Sequence, residues 1–136
     1  NDGMYDCIIL AEAGLSRLSS LMGKQNYEQL EHITCSGQGV LAVQWKEGSK
    51  VEDFIKSSLL FDQMKELNEQ ITMERNLLKK LNADCNSAIS IFASDGFLQG
   101  EIFGRDKFIT FSGNNIDQLY KDITANNGLD LLNEHH

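Results

Sequence analysis

The dipeptide Asp95-Gly96 constrains the fold more than any other feature of the sequence, because it separates two stretches with the composition of β-strands. A two-residue hairpin turn needs positive φ at both positions, and aspartate followed by glycine adopts that geometry readily. The dipeptide therefore predicts an antiparallel hairpin of residues 88–93 and 97–103. A polar turn at 104–107 precedes a further strand pattern at 108–112, which predicts a three-stranded antiparallel sheet.

A long amphipathic helix is predicted before the hairpin, at residues 62–81. Its apolar residues recur at steps of three and four, so they share one face of the helix. They are Met64, Leu67, Ile71, Leu78 and Leu81. Asp62 is a suitable N-cap for this helix, and residues 51–60 predict a shorter helix ahead of it.

The last predicted helix follows the sheet, at residues 116–126. Asn115 precedes it as an N-cap, Asp117 lies in its first turn, and Gly128 follows its end, which are the residue types that begin and end helices. Its apolar face is formed by Ile116, Leu119, Tyr120 and Ile123. This part of the chain therefore predicts an α+β fold, a three-stranded antiparallel sheet covered by helices.

The beginning of the chain predicts part of a different domain. Residues 5–10 have the pattern of a buried strand, residues 11–22 that of a helix, and residues 40–45 that of a second strand. Two strands and one helix do not enclose a core, so these strands need partners from a larger α/β sheet. We expect residues 1–45 to be mobile in this chain, or to pair with a second copy in self-association.

A polar break at residues 46–49 divides the two parts. Residues 1–48 are expected to be a fragment of an α/β domain, and residues 49–133 a self-sufficient C-terminal α+β domain. Residues 134–136 resemble the start of an expression tag, so their histidines are given no function.

Charge and cysteine content exclude several classes of protein. Twenty acidic and twelve basic residues give a net charge of −8, which disfavours nucleic acid and anionic membranes as partners. The three cysteines include no Cys-x-x-Cys pair, so neither a disulfide framework nor a zinc site is predicted. No apolar run has the length of a membrane span or a signal peptide, and a cytoplasmic location is expected.

Cys85 stands between the long predicted helix and the first strand of the hairpin, after the polar residues 82–84. A thiol at such a junction is held by two regular elements and can still be open to a ligand, which suits covalent attachment. The alternative is that Cys85 packs as a small hydrophobic residue, which is common for cysteine. Cys7, inside the predicted strand at 5–10, is expected to be protected.

Three motifs, in order, resemble the porphobilinogen deaminase (hydroxymethylbilane synthase) family. Residues 74–85, Glu-Arg-Asn-Leu-Leu-Lys-Lys-Leu-Asn-Ala-Asp-Cys, resemble its cofactor-cysteine segment. Residues 5–18 contain an Ala-Gly-Leu-x-Arg-Leu motif similar to a family strand-to-helix motif, and residues 36–43 contain the family's Gly-Gln-Gly. The resemblance implies the end of the second domain, of a periplasmic-binding-protein-like α/β type, followed by the third domain.

The resemblance also implies a reaction. The family condenses four porphobilinogen units into hydroxymethylbilane on a dipyrromethane primer bound to a cysteine, in tetrapyrrole and haem biosynthesis, so Cys85 would be the anchor. The other positions that match cofactor-binding residues are Arg17, Gln38, Ala11, Gly37 and Gly39. Arg17 would pair with ligand carboxylates, Ala11 would contribute its backbone, and Gln38 its backbone or side chain. No metal site and no catalytic residue is predicted.

The sequence departs from the family in two respects. Prolines that the family has near the cofactor cysteine and before Gly-Gln-Gly are missing, since this chain has no proline. The family's N-terminal half, with its catalytic aspartate and most of its arginines, has no counterpart here. The isolated chain is therefore expected to be inactive and without cofactor, and its partners would be the remaining domains of the same enzyme.

Two other classes remain open from the sequence. The chain could be a non-catalytic α+β interaction module, in which a sheet edge or the helix at 61–81 binds a protein partner and Cys85 packs. Alternatively, Cys85 could be a redox or nucleophilic thiol, which needs a base. His32 is the only histidine before the final two residues. Arg75 is expected to lie in a salt-bridged helix face.

Overall fold

The computed structural model describes residues 6–22, 26–58 and 61–134, which divide into two compact units between Glu31 and His32. In the first unit, helix α1 (Glu12–Met22) begins after Ala11, whose carbonyl oxygen accepts hydrogen bonds from Gly14 N and Leu15 N at 2.9 and 3.2 Å. The second unit contains the remaining elements. They are α2 (Lys50–Lys56), α3 (Phe61–Leu81), β1 (Ile89–Ser94), β2 (Phe97–Phe103), β3 (Phe108–Gly113), α4 (Ile116–Ala125) and α5 (Gly128–Asn133).

The sheet is antiparallel with the strand order β1-β2-β3, which confirms the predicted α+β fold. Ser94 pairs with Phe97 across the hairpin, and Asp95 and Gly96 have φ of 52° and 73°. Both turn residues therefore have the left-handed backbone that a two-residue hairpin needs. The second turn is closed by Gly104 N, which donates to Lys107 O at 2.7 Å.

One face of the sheet packs against α3, α4 and α5. Leu77, Ile91, Leu98 and Ile102 are fully buried there, together with residues from the last two helices. Leu81 is buried as predicted, but the apolar stripe of α3 otherwise differs from the predicted one. Leu77, which was not part of the predicted face, is fully buried, while Met64 and Leu67 are 36% and 40% exposed. Among the side chains of α3 that the structure describes, those buried in the core lie in its C-terminal half.

The predicted N-cap of α3 is wrong. Asp62 is the second residue of the helix, because α3 already begins at Phe61. The shorter helix predicted at 51–60 is seen as α2, which ends at Lys56, and residues 59–60 lie outside the described residues.

The predicted start and apolar face of α4 are confirmed. Asn115 Oδ1 accepts a hydrogen bond from Gln118 N at 3.0 Å, Leu119 and Ile123 are buried, and Ile116 and Tyr120 are partly buried. At the other end, Asn127 rather than Gly128 has the left-handed backbone, with φ of 60°.

Gly128 instead begins α5, a helix that the sequence analysis did not predict. A Cβ atom on Gly128 would lie 2.5 Å from Cγ2 of Ile123 and 2.9 Å from Cδ1 of Ile109. The glycine is therefore required by close packing of α5 against α4 and β3. Helix α5 completes the core with the buried residues Leu131 and Leu132.

The strands predicted at 5–10 and 40–45 are not formed in the described residues. Residues 6–10 and 40–45 have no strand assignment, and position 5 lies outside the described residues. A strand is defined by hydrogen bonds to a neighbour, and these segments have no neighbouring strand. Their apolar side chains are correspondingly exposed, by 81% at Ile9 and 90% at Leu41.

Replacing Gly100 tests the packing of the sheet. Gly100 pairs with Ile91 and Phe111, and a Cβ at this position would lie 2.3 Å from Cζ of Phe111 and 2.4 Å from Ser90 O. We expect Gly100→Ala to lower the free energy of unfolding by about 1–3 kcal/mol, because the ring and the strand must separate.

Chemical denaturation followed by far-UV circular dichroism measures this effect. Gly14→Ala is the control, since nothing lies within 4 Å of its Cβ position and it belongs to the first unit. An unchanged denaturation midpoint in Gly100→Ala would show that the sheet accommodates a methyl group here.

Candidate functional site

The C-terminal end of α3 is ordered by a Schellman motif that immediately precedes Cys85. Asn82 has φ of 55°, and its N–H donates to Lys79 O at 3.2 Å. Ala83 N donates to Leu78 O at 2.9 Å, and both of these residues pack against the core. Asparagine is the residue other than glycine that most often has this left-handed position. The helix therefore ends at a fixed point.

Cys85 lies at the second position of a turn over residues 84–87. Asp84 Oδ1 accepts from Asn86 N at 2.8 Å, and Ser87 N donates to Asp84 O at 3.2 Å. Asp84 N in turn donates to Ser87 Oγ at 3.0 Å. Cys85 is exposed, so the packing alternative is not supported. Local hydrogen bonds order this turn without the proline of the family pattern.

An open depression of about 500 Å³ adjoins this turn. Its lining residues are Arg75, Leu78, Lys79, Asn82, Ala83 and Asp84. Arg75 and Lys79 are one helical turn apart, so their cationic side chains lie on the same face of α3. No ion pair of Arg75 is found within the described part of the chain, which does not support the salt-bridged face expected there.

The other side of the α3 terminus is fastened to α4. The Lys80 ammonium donates to Asp117 Oδ1 and lies 5.4 Å from the centroid of the Tyr120 ring. The hydrogen bond from Lys80 lowers the pKa of Asp117. The helix that leads to Cys85 therefore has contacts with α4 as well as with the sheet.

Residues 36–39 form a second turn, which we call the glycine turn. Gly37 and Gly39 have φ of 70° and 81°, so both positions favour glycine. Gln38 N donates to Cys35 O at 3.1 Å, and Val40 N to Gly37 O at 3.2 Å. Nothing lies within 4 Å of a Cβ placed on either glycine, and Gln38 is exposed. The glycine turn is therefore open to a ligand at Gln38 and Gly39.

Glu74 connects the glycine turn to α3 and to the sheet. Its Oε2 accepts from Ser36 Oγ at 2.8 Å and from Gly37 N at 2.9 Å, and its Oε1 accepts from Ala93 N at 2.9 Å. The residue is 5% exposed. No role was predicted for Glu74. Its position, three residues from both Ile71 and Leu77, nevertheless indicates that it lies on the buried face of the helix.

A second buried carboxylate, Glu101, holds the segment that leads to the glycine turn. Glu101 Oε2 accepts from Ile33 N at 3.1 Å, and both carboxylate oxygens lie 3.3 Å from His32 Nδ1. The His32 ring also makes edge contacts with Phe103 and Phe108, at centroid distances of 5.6 and 6.1 Å. His32 is thus engaged with the sheet, and these contacts give no support for its acting as a base for Cys85.

The candidate cofactor residues divide between the two units. Gly37, Gln38, Gly39 and Cys85 belong to the second unit, where Glu74 and α3 link the glycine turn to the cysteine. Ala11 and Arg17 belong to the first unit, and both are exposed. Ala11 directly precedes α1, and Arg17 lies within this helix.

The expected protection of Cys7 is wrong. Cys7, Cys35 and Cys85 are all free and exposed. Cys7 was expected to be buried in a strand, but residues 6–10 have no strand partner, and the neighbouring Ile8 is 67% exposed. Within the described ranges, no cluster of three or more His, Cys, Asp or Glu residues could hold a metal ion, and no helix is long and apolar enough to cross a membrane.

One family model matches the beginning of the chain. A family model described as "Porphobilinogen deaminase, dipyromethane cofactor binding domain" matches residues 1–53. This range contains Ala11, Arg17 and the glycine turn, while Cys85 lies beyond it. The matched family is thus one whose cofactor is dipyrromethane.

Curated relatives extend the similarity along the chain. A porphobilinogen deaminase of Streptococcus sanguinis is 35% identical over 96 residues, which is 68% of this chain and 30% of the relative. One from Clostridium acetobutylicum is 32% identical over 89% of this chain and 38% of its own length. One from Clostridium perfringens is 30% identical over 93% of this chain and 40% of its own length.

The chain is therefore similar in sequence to part of the porphobilinogen deaminases. It spans between 30% and 40% of the lengths of these three proteins. The alignment that covers 93% of the chain is long enough to include both the glycine turn and Cys85.

Substitution of Asn82 tests the order of the α3 terminus. We expect Asn82→Val to lower the free energy of unfolding by about 1–2 kcal/mol, because a β-branched residue does not tolerate the left-handed backbone. Asn82→Gly should retain the stability of the native chain. Asn76→Val, at an exposed position inside α3, is the control in thermal melts. Equal melting temperatures for the two valine variants would contradict the motif.

Thiol labelling tests the exposure of the cysteines. Because Cys7, Cys35 and Cys85 are all exposed, iodoacetamide should modify each of them in the folded chain without denaturant. Peptide mapping by mass spectrometry gives the extent at each position. A cysteine that reacts only after denaturation would show that its side chain is covered in solution.

Proposed function

We propose that this chain is the C-terminal, cofactor-anchoring portion of a porphobilinogen deaminase, a transferase of porphyrin and haem biosynthesis. The complete enzyme would condense four porphobilinogen units into hydroxymethylbilane on a dipyrromethane primer. The observation that supports this most directly is Cys85, an exposed thiol on a hydrogen-bonded turn between α3 and β1. The sequence similarity supplies the family, and the turn supplies a suitable attachment point.

The residues present fit a dipyrromethane group. Cys85 Sγ would hold it by a thioether, and the primer would keep the growing chain tethered, so that later condensations do not require a new encounter. The thiol is exposed, and the turn around it is held by Asp84 and Ser87 rather than by the ligand. A thioether at Cys85 would therefore form on a turn that is ordered without the ligand.

Recognition of the ligand would use main-chain donors and cations. The glycine turn presents exposed backbone at Gly39 and an exposed Gln38, while Gly37 N is held by Glu74. Arg17 would pair with carboxylates of the pyrrole side chains, since a guanidinium group binds them with two parallel hydrogen bonds. Ala11 would contribute its backbone at the start of α1.

The remaining domains of the same enzyme would be the main partners of this chain, in the cytoplasm. Exposed apolar residues in both units, among them Ile9 and Leu41, are surfaces that these domains would cover, and self-association would cover them when the chain is alone. An interaction module that adds a partner strand to β1 is less well supported. Ile91 N and Ala93 N on that edge already donate to Thr34 O and Glu74 Oε1.

The isolated 136-residue chain should not consume porphobilinogen. The catalytic aspartate of the family has no counterpart in this sequence, and proton transfer at the pyrrole nitrogens needs a positioned acid and base. A colorimetric assay of porphobilinogen over several hours measures this, with a complete porphobilinogen deaminase as the positive control. Consumption of porphobilinogen above the protein-free rate would contradict the proposal that this chain lacks the catalytic groups.

Replacement of Cys85 in the full-length enzyme tests the proposed anchor. Cys85→Ser should abolish the attached dipyrromethane mass, because the thioether cannot form. Cys35→Ser is the matched control, since Cys35 is equally a free, exposed cysteine of the second unit. Intact-mass spectrometry distinguishes the variants. A primer that persists in Cys85→Ser, or is lost only from Cys35→Ser, would refute the assignment.

A further inference from the structure

We propose that Glu74 is a positioning residue that fixes the glycine turn relative to Cys85. The proposal rests on the function proposed above, in which both the turn and the cysteine contact the cofactor. Glu74 has no ligand role in the sequence motif, and its carboxylate is buried. Glu74 would therefore affect ligand binding by fixing the position of the glycine turn, without contacting the ligand.

The two oxygens of Glu74 have separate partners. Oε2 holds the glycine turn through Ser36 Oγ and Gly37 N, whereas Oε1 holds Ala93 N on strand β1. The donor–acceptor distances of 2.8 to 2.9 Å are those of well-formed hydrogen bonds. The Glu74 side chain thus connects α3 to the glycine turn and to the edge strand β1.

The connection continues from Glu74 to Cys85 along α3. Leu81 is seven positions after Glu74, a distance of about 10 Å along a regular helix. This stretch contains neither glycine nor proline, the usual causes of a kink. The Schellman motif and the turn at 84–87 then connect the helix to the cysteine. The glycine turn and the Cys85 thiol are therefore both held by α3.

A cleft beside Glu74 has a shape that depends on the position of the glycine turn. The cleft, of about 470 Å³, is lined by the glycine turn, by the preceding residues and by parts of α3 and β1. Glu74 is one of the residues that line it, together with Ile71 and the glycine turn. If the carboxylate no longer held Gly37, the glycine turn would lose its fixed place along this cleft.

Glu74→Gln in the 136-residue chain is the direct test. The variant keeps the shape and length of the side chain and one acceptor oxygen, but an amide N–H₂ replaces the other oxygen. With Oε1 still bound to Ala93 N, the new donor faces the N–H of Gly37. We expect the Gly37 amide to exchange with solvent deuterium at least about tenfold faster, as for loss of one hydrogen bond to a charged group. The Ala93 amide should remain protected.

Two matched variants separate this effect from general destabilisation. Glu101→Gln removes the other buried carboxylate and should release Ile33, leaving Gly37 protected. Glu69→Gln, at an exposed position on α3, should change neither amide. If Glu74→Gln does not fold, Ser36→Ala removes one bond only, and a smaller acceleration at Gly37 is expected. Unchanged exchange at Gly37 in the folded Glu74 variant, or in Ser36→Ala if that is the variant available, would overturn the proposal.

Kinetics of the full-length enzyme then test positioning against a purely structural role. In Glu74→Gln we expect kcat to fall at least about tenfold, with the primer still attached to Cys85 and KM within about twofold, because the turn contacts the tethered chain. Faster exchange at Gly37 with unchanged kcat would overturn the positioning role and leave the proposed function standing. A native enzyme without primer on Cys85 would overturn the proposed function, whatever the exchange result.

Discussion

The carboxylate of Glu74 is the interaction on which the arrangement of the second unit depends. Burial of an ionised carboxylate is costly unless donors replace its water, and here a hydroxyl and two backbone N–H groups do so. Hydrogen bonds to a charged group contribute about 1.5–3 kcal/mol each, and loss of the acceptor leaves buried donors without a partner. The bonds join segments that lie far apart in sequence, so Glu74 sets tertiary structure rather than helix stability.

The same bonds protect the edge of the sheet. Strand β1 pairs only with β2 among the described strands, so its outer N–H groups would otherwise be open to pairing with another chain. Ile91 N donates to Thr34 O at 3.2 Å, and Ala93 N to Glu74 Oε1. Because residues 32–37 are held by Glu101 at one end and by Glu74 at the other, the sheet edge and the glycine turn are stabilised together.

Local sequence signals predicted the elements whose structure is decided by neighbouring residues. The hairpin depends on Asp95-Gly96, and the start of α4 depends on Asn115, so both were predicted correctly. Features that depend on distant contacts were not. The role of Glu74 requires a turn 37 residues earlier in the chain, and the burial of α5 requires a glycine that fits against Ile123. The strand patterns at 5–10 and 40–45 show the same limit, since apolar composition does not supply a partner strand.

Anchor and turn are held by different kinds of interaction. The backbone around Cys85 is ordered by hydrogen bonds within residues 78–87, including those of Asn82 and Asp84. The glycine turn has its own internal hydrogen bonds but is tied to the rest of the unit by Glu74. A sequence that lacks the family's prolines can therefore keep the attachment point fixed by local bonds alone, because an Asx turn and a Schellman motif restrict the chain much as proline does. The position of the glycine turn has no such local substitute. Substitutions near Cys85 should for this reason be tolerated as long as Asn82 and Asp84 remain. At position 74, few residues other than glutamate could accept the same hydrogen bonds.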